Sequence, residues 1–304
     1  MLGFQRYDRV SGSELPEHNK VYLTVNNKTI PFLETVEFRL DNPWSSFFRS
    51  VLTQLRDEAQ FSGKDVKELG VGDARNFFYL GNELKGSAGI DAHQPALQLA
   101  AENVAHLKFL VDLYLGDVVA FIKQPGEAWG GVVIACLPQT PTQDSSENKL
   151  VGTFNPENPH LEPYAQWKES GLQLMAATLG ELSKRAKKDL QVLIVLSGRV
   201  PTSERGDMIR ATGWAIRRIF ATNELNIAQQ SESVSVAYAQ IYADNSENLF
   251  WGKTANGSLA PIDPIEAEKR RLISHQSSTK GKPNVYYHLY AYLLEPNKRK
   301  LSRP

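Results

Sequence analysis

The chain has a single cysteine, Cys136, among its 304 residues, and its formal net charge at pH 7 is zero. One cysteine excludes an internal disulfide and suits a reducing compartment. A balanced charge without a long basic block argues against a protein that binds nucleic acid by neutralising phosphates. No apolar run approaches the roughly 20 residues that a membrane-spanning helix needs.

The first residues, MLGFQRYD, do not contain the apolar core of a secretory signal peptide. These absences together predict a soluble, cytoplasmic protein that binds neither nucleic acid nor a membrane. A chain of this length can bury a large core as one domain with additions. We expect an N-terminal cap at 1–60, the core at 61–243 and a C-terminal extension at 244–304, and the sequence leaves a homo-oligomer open.

The stretch 67–75, KELGVGDAR, organises the rest of the chain. A short apolar run ends at Leu69, Gly70 and Gly72 follow it, and about 20 residues later another apolar run ends at Asp91. Glycine lets the backbone approach a ligand closely, and an acid at the end of the next strand can bond a ribose hydroxyl. The pattern favours a nucleotide site at the edge of an open α/β sheet, although a plain strand–turn–helix is compatible with the same glycines.

The spacing of the glycines narrows the class of ligand that the turn could bind. Arg75 stands three residues after Gly72, where a dinucleotide fingerprint would have its third glycine. The sequence from Glu68 to Asp73, ELGVGD, instead resembles the first cofactor motif of S-adenosylmethionine-dependent methyltransferases, with Ala74 where that family usually has a third glycine. The resemblance implies an α/β, Rossmann-like class I methyltransferase sheet and S-adenosylmethionine as the methyl donor.

Hydrophobic periodicity predicts the elements around this loop. Strands are predicted at 21–25, 29–38, 87–91, 107–114, 131–137, 191–196 and 234–242, and helices at 44–55, 94–107, 164–187 and 205–219. The polar stretch 142–163 is predicted to be a lid, a substrate loop or a disordered insertion. At 285–294 an alternating pattern puts one histidine and three tyrosines on a single strand face, which is either an interface, a site wall or an outer sheet face.

A narrower resemblance begins at Cys136-Leu-Pro138-Gln139. Methyltransferases that act on amide or amino nitrogens have Asn/Asp-Pro-Pro-Tyr/Phe at this place. The tetrapeptide here instead resembles the Gly-Cys-Ile-Pro-Gln of plant methionine S-methyltransferases. The segment from Ser197 to Pro201, SGRVP, is similar to the Gly-Gly-Arg-Pro of that enzyme.

The likeness continues to the end of the chain, because His288, the tyrosines and 294–297 (LEPN) are similar to the Ser-His…Tyr…Leu…Pro-Asn segment of the same enzyme. It spans about 60–300 and does not include the aminotransferase-like half of the plant protein. It therefore implies a freestanding form, similar to the bacterial methionine S-methyltransferases that open a dimethylsulfoniopropionate pathway. The implied small-molecule substrate is L-methionine, and the implied product is S-methylmethionine.

The chemistry is consistent with this resemblance. A thioether sulfur carries no proton, so its methylation needs in-line alignment but no catalytic base, and no metal is expected. The carboxylate of a free amino acid requires a bidentate donor, for which Arg199 is the candidate. Two alternatives stay open, an S-adenosylmethionine-dependent N-methyltransferase acting on a protein glutamine or a small amine, and a non-catalytic binding protein.

The site residues follow from these motifs. The predicted cofactor-binding residues are Glu68, Gly70, Gly72, Asp73, Asp91, Ala92, Asp117, Val118 and Leu137. The predicted substrate-binding residues are Pro138, Gln139, Tyr164, Arg199, His288 and Tyr290. Asp117 has a second interpretation, since it stands where a helix over 118–122 needs an N-cap.

Overall fold

The structure is a computed structural model. It describes residues 6–7, 15–25, 28–35, 43–80, 84–107, 110–126, 128–139, 158–222, 226–227, 242, 247, 249–267, 269–270 and 285–297. The predicted strand at 234–242, apart from residue 242, and most of the predicted loop at 142–163 lie outside these residues.

The described elements alternate between strands and helices over much of the chain. The strands are β1 (His18–Val25), β2 (Lys28–Thr35), β3 (Asp65–Leu69), β4 (Gly86–Asp91), β5 (Val111–Leu115), β6 (Val132–Ala135), β7 (Gln191–Ser197), β8 (Trp214–Ala221), β9 (Asn226–Ile227), β10 (Phe250–Lys253), β11 (Leu259–Ile262), β12 (Val285–Tyr287) and β13 (Leu289–Pro296). The α-helices are α1 (Pro43–Asp57), α2 (Arg75–Leu80), α3 (Gln94–Val104), α4 (Val118–Lys123), α5 (Gln173–Ser183) and α6 (Thr202–Ala211), and a 3₁₀ helix covers Glu162–Trp167.

Seven strands form one sheet in the order β5-β4-β3-β6-β7-β13-β8. The pairs β3–β4, β4–β5, β3–β6 and β6–β7 are parallel. With β3 as the first strand, the order up to β7 is that of a Rossmann sheet, and β13 lies between β7 and β8. The predicted α/β, Rossmann-like fold is confirmed, and the strand order reverses between β3 and β6, where ligands bind in such sheets.

The buried strands of this sheet read as continuous apolar runs. Every residue of β6, VVIA, and of β7, QVLIVLS, is buried. Strands that are covered by helices on both faces have this composition, so no polar–apolar alternation appears in them. Among the described helices, none combines the length and the apolar composition that crossing a membrane requires.

The chain folds into two compact units that interleave along the sequence. One unit comprises 1–137, 181–194 and 293–304, and it includes the antiparallel hairpin β1–β2 and the parallel strands β3 to β6. The other comprises 138–180 and 195–292, and it includes a four-stranded sheet in the order β11-β10-β12-β9. The functional segments expected from the sequence, with limits at residues 60 and 243, stay a prediction.

The predicted helix at 164–187 is wrong in its extent. The 3₁₀ helix ends at Trp167, and α5 begins only at Gln173. Gly171 lies between them with a φ of +71°, which a right-handed helix cannot contain. The periodic apolar pattern continues across this glycine, so periodicity alone joined two separate elements.

The predicted helix at 205–219 is also wrong in its second half. Helix α6 ends at Ala211, Gly213 has a φ of +98°, and Trp214–Ala221 is strand β8. The Trp214 indole is buried, and its Nε1 donates to the main-chain oxygen of Leu179 at 2.9 Å. Tertiary burial of this large side chain stabilises the strand.

The predicted strand at 285–294 is two strands. β12 pairs in the four-stranded sheet, β13 belongs to the seven-stranded sheet, and His288 separates them. The aromatic face is nevertheless present. The ring centroids of His288 and Tyr290 lie 6.1 Å apart, and those of Tyr290 and Tyr292 lie 6.4 Å apart.

Replacing Gly131 tests the close approach of β3 and β6. Gly131 has a φ of +75°, and a Cβ there would overlap the main-chain oxygen of Asp65. Gly63 is a matched control, with a φ of +65° and nothing within 4 Å of an added Cβ. We expect Gly63→Ala to cost about 1–2 kcal/mol from backbone strain. We expect Gly131→Ala to cost about 1–3 kcal/mol more, because the strands must separate. Urea unfolding measures both losses, and equal losses would contradict this explanation.

Candidate functional site

The turn after β3 is held in a left-handed conformation at three alternate residues. The φ angles are +77° at Gly70, +53° at Gly72 and +64° at Ala74. The main-chain oxygen of Ile90 accepts hydrogen bonds from the nitrogens of Gly70 (2.9 Å) and Val71 (3.0 Å). Ala74 thus has the conformation that glycine adopts most easily, at a cost of about 1–2 kcal/mol.

The two glycines of this turn have different surroundings. A Cβ on Gly70 would lie 2.8 Å from the Cδ2 of Leu137, so this position is packed against a buried side chain. Within the described part of the chain, a Cβ on Gly72 would have no atom within 4 Å. The turn is therefore closed at Gly70 and open at Gly72, where a ligand could approach the backbone.

The carboxylate of Asp91 connects the end of β4 to this turn. Its Oδ2 accepts from the Gly72 nitrogen at 2.8 Å, and its Oδ1 accepts from the His93 nitrogen at 2.8 Å. Burial raises the pKa of Asp91, while the hydrogen bonds from His93 and Gly72 oppose the shift. The Ala92 nitrogen also donates to this carboxylate. A carboxylate has about four acceptor sites, so Asp91 can still accept from a ligand hydroxyl. Ala92 follows directly after it in the chain.

Glu68 is a buried carboxyl beside the turn, with 1% of its surface exposed. Its Oε1 accepts from the Nδ2 of Asn76 at 2.5 Å, and its Oε2 has no hydrogen-bond partner. Burial raises the pKa of Glu68 to about 8, and the Asn76 hydrogen bond lowers it only in part. The carboxyl is therefore mostly protonated at pH 7, and its second oxygen is available to a ligand donor.

Asp73, a predicted cofactor-binding residue, forms a buried ion pair. Its Oδ1 and Oδ2 accept from the Nε and Nη2 of Arg75 at 2.8 and 2.5 Å, and the Nη1 of Arg75 donates to the Oγ of Ser45 at 2.9 Å. Arg75, the first residue of α2, thus links Asp73 to α1. A cofactor contact of Asp73 stays a prediction.

Asn103 supports the same turn and is not among the site residues predicted from the sequence. Its side chain is buried on α3. The Asn103 amide donates to the main-chain oxygens of Leu33 (2.8 Å) and Asp73 (2.9 Å) and accepts from the Leu33 nitrogen (2.8 Å). A polar residue on an otherwise apolar helix face was the signal that could have identified it.

Asp117 caps helix α4, as the second interpretation of this residue predicted. Its Oδ1 accepts from the Ala120 nitrogen at 2.7 Å, and Val118 is the buried first residue of the helix. A cofactor contact of Asp117 stays a prediction.

Cys136 has a half-buried side chain at the end of β6. Burial and, to a smaller extent, the neighbouring Glu68 raise the pKa of its thiol to about 12. The thiol is therefore neutral near pH 7 and does not act as a thiolate nucleophile. Among the described residues, no group of three His, Cys, Asp or Glu side chains is arranged to hold a metal ion.

In the second unit, the side chain of Gln139 forms hydrogen bonds with the backbone of β7. Its Nε2 donates to the main-chain oxygen of Val195 at 2.6 Å, and its Oε1 accepts from the Ser197 nitrogen at 2.9 Å. The side-chain amide continues the hydrogen-bond pattern of the strand, which explains the burial of Gln139. Pro138, beside it, is half-buried.

Tyr164 and Gly180 are in close contact in the same unit. A Cβ on Gly180 would overlap the Tyr164 hydroxyl, so the glycine gives the ring its space on helix α5. Tyr164 has the non-helical angles φ −116° and ψ 20°. The half-buried ring is thus held by packing, and a substrate contact of Tyr164 stays a prediction.

Two buried arginines lie on tyrosine rings in the second unit. The Arg199 guanidinium is 4.7 Å from the Tyr287 ring centroid, and the Arg205 guanidinium is 3.9 Å from the Tyr290 ring centroid. Their exposed fractions are 3% and 0%. Cation–π contact compensates part of the cost of burying these charges. Tyr290 therefore already has a cation on its ring, and Arg205 was missed because it looked like a surface residue of a predicted helix.

His288 contacts groups of the same unit. Its Nδ1 lies 3.2 Å from the main-chain oxygen of Thr222, and its ring centroid is 5.8 Å from that of Trp251. The main-chain oxygen of His288 accepts from the Gly198 nitrogen at 2.8 Å. His288 thus connects Gly198, the residue after β7, to the neighbouring rings of Tyr290 and Trp251.

The chain matches no protein-family profile and no curated protein. It is similar in fold to several solved structures. One is an S-adenosylmethionine-dependent methyltransferase from Geobacter sulfurreducens in complex with S-adenosyl-L-homocysteine (14% identity, 85% of this chain and 94% of that chain, TM-score 0.42). Another is the precorrin 8w decarboxylase from Methanobacterium thermoautotrophicum (10% identity, 87% and 96%, TM-score 0.43).

A third similar structure is the ribosomal protein L11 methylase from Lactobacillus delbrueckii subsp. bulgaricus (12% identity, 57% of this chain and 72% of that chain, TM-score 0.38). At these identities and scores, the likeness carries no argument about what this chain binds or which reaction it performs. The site geometry is the basis for those assignments.

The buried carboxyl of Glu68 makes stability depend on pH. The folded state keeps this proton up to a pKa of about 8, whereas the unfolded chain loses it near the ordinary 4.5. Stability therefore falls as pH rises between these values and then levels off, by at most about 5 kcal/mol. Glu68→Gln mimics the protonated carboxyl and abolishes this contribution to the pH dependence of stability. We expect the variant to be increasingly more stable than the wild type from pH 5 to 8 in urea unfolding, with the smallest difference below pH 4.5. A difference that does not change with pH would contradict the shift.

Proposed function

We propose that the chain is an S-adenosylmethionine-dependent methyltransferase and that the cofactor binds at the turn after β3. One observation carries the proposal. The left-handed turn is open at Gly72, is tied to Asp91 by a 2.8 Å hydrogen bond, and lies next to Glu68, whose buried Oε2 has no hydrogen-bond partner. An open glycine backbone, an acid at the end of the second strand and an unsatisfied buried carboxyl suit a nucleoside that carries an ammonium group.

The proposed roles of the two acids follow from their hydrogen bonds. The Asp91 carboxylate keeps acceptor capacity beside its bonds to backbone nitrogens, which suits a ribose hydroxyl. Glu68 would accept from the ammonium of the methionine part, and a bound cation would favour the ionised form of Glu68. Gly70, Ala92, Asp117, Val118 and Leu137 complete the proposed cofactor set.

We further propose that the acceptor is the thioether sulfur of L-methionine. When bound, S-adenosylmethionine supplies a methyl group on a positively charged sulfur, which a thioether lone pair can attack. No proton leaves the acceptor in this transfer, so the chain needs no base. The neutral thiol of Cys136 and the backbone-bound amide of Gln139, which stand where nitrogen-methylating enzymes have their Asn and aromatic residues, are compatible with such an acceptor.

The residues proposed for substrate binding have to orient the amino acid, since alignment is the source of the catalysis. The buried guanidinium of Arg199 suits the carboxylate of the substrate. Pro138, Gln139, Tyr164, His288 and Tyr290 stay in the proposed set. Arg205 already covers the ring of Tyr290, so this ring has less room for a second cation.

A tryptophan at Gly72 tests the cofactor site. We expect Gly72→Trp to abolish S-adenosylmethionine binding in calorimetry, because an indole would fill the open space beside the turn. Gly63→Trp is the matched control, since Gly63 has a similar left-handed backbone and equally open surroundings but lies ahead of β3. The control should keep the wild-type dissociation constant. Unchanged binding by Gly72→Trp would overturn the site assignment.

Product analysis tests the acceptor. The pure protein is incubated with S-adenosylmethionine and L-methionine, and S-methylmethionine and S-adenosylhomocysteine are quantified by mass spectrometry. We expect both in equal amounts over many turnovers, and neither with Gly72→Trp. L-norleucine, which has a methylene in place of the sulfur, should give no methylated product. Cofactor binding without product would overturn the methionine proposal and direct the search to amine and protein-glutamine acceptors.

A further inference from the structure

Ser197, the last residue of β7, is a fully buried residue whose three polar groups all have partners, with 0% of its surface exposed. Its nitrogen donates to the Oε1 of Gln139 at 2.9 Å. Its main-chain oxygen accepts from the Nη1 of Arg205 at 3.2 Å. Its hydroxyl oxygen accepts from the Nε of Arg199 at 2.8 Å and from the Arg199 nitrogen at 3.3 Å.

The hydroxyl of Ser197 is thus directed to a single residue, since both hydrogen bonds that it accepts come from Arg199. The backbone of Ser197 cannot shift to follow another partner, because Gln139 and Arg205 hold its nitrogen and its main-chain oxygen. A rigid hydroxyl of this kind fixes the position of the side chain that it binds.

At least two neighbours hold the Arg199 guanidinium. The Tyr287 ring centroid lies 4.7 Å from its central carbon. The Nε donates to the Ser197 hydroxyl at 2.8 Å, which restricts the rotation of the group. Ser197 uses the Nε side, and among the described residues the buried Nη1 of Arg199 has no hydrogen-bond partner. A carboxylate would therefore meet the guanidinium from the Nη1 side.

We propose that Ser197 is a positioning residue that aims Arg199 at the substrate carboxylate and so determines selectivity for a free amino acid. This inference rests on the proposed function. It assigns to the hydroxyl of Ser197 a role in recognition that its burial alone would not require. It also explains why Gln139 accepts from the backbone of this serine and Arg205 donates to it.

The test compares L-methionine with L-methioninamide, which has an uncharged amide in place of the carboxylate. Calorimetry in the presence of S-adenosylhomocysteine gives the ratio of the two dissociation constants for each variant. We expect the wild type to prefer L-methionine by about 100-fold and Ser197→Ala to lose about 10-fold of this preference, as hydrogen bonds to charged groups have this size. Ser197→Thr keeps the hydroxyl and should restore the wild-type ratio.

Two further variants separate positioning from a merely structural effect. Ser170→Ala is the matched control, because it deletes another buried serine hydroxyl of the same unit, which donates to the Trp167 main-chain oxygen at 3.2 Å. Ser170→Ala should lower the melting temperature about as much as Ser197→Ala does. It should leave the ratio of the two dissociation constants unchanged. Arg199→Ala should abolish most of the preference, and Ser197→Ala should have no further effect in that background.

The outcomes distinguish this inference from the proposed function. If the wild type makes S-methylmethionine while Ser197→Ala keeps the full preference for the carboxylate, the positioning role is wrong and the function stands. An additive effect of the Ser197 and Arg199 changes would also overturn the positioning role. If the wild type neither binds nor methylates L-methionine, both proposals fail.

Discussion

The hydrogen bond between the Gly72 nitrogen and the Asp91 carboxylate, 2.8 Å long, joins the two strands that define the candidate site. It holds the left-handed turn after β3 against the end of β4. There the main-chain oxygen of Ile90 accepts from the nitrogens of Gly70 and Val71. Leu137 closes the turn from the β6 side, at Gly70. The open backbone at Gly72 exists because all of these neighbours hold the turn in a conformation that few residues tolerate.

Buried charges in both units are stabilised in different ways. Asp73 is neutralised by Arg75 in a bidentate pair, whereas Glu68 has no such partner and retains its proton, with a pKa of about 8. Arg199 and Arg205 lie on tyrosine rings and donate to Ser197. Burying a charge is expensive unless it is paired or hydrogen-bonded, so these contacts are conditions for the fold as well as features of the site.

The limits of prediction are clearest at two glycines. The apolar patterns around Gly171 and Gly213 continue through them, and both were placed inside long helices. Each has a positive φ, and each separates two elements. Glycine is compatible with a helix interior as well as with a left-handed bend, so only packing decides between these conformations. At Gly213 the decisive contact is the buried indole of Trp214, whose Nε1 donates to the main chain of Leu179.

The sequence by itself determined the alternation of strands and helices around β3, the glycine turn and the acid that ends β4, because these features depend on local periodicity and on residues a short distance apart. The N-cap role of Asp117 was readable for the same reason. Only the tertiary structure decided the partners of buried polar groups. Asn103 and Arg205 are ordinary residues in the sequence, and their partners are main-chain oxygens that folding brings within hydrogen-bond distance.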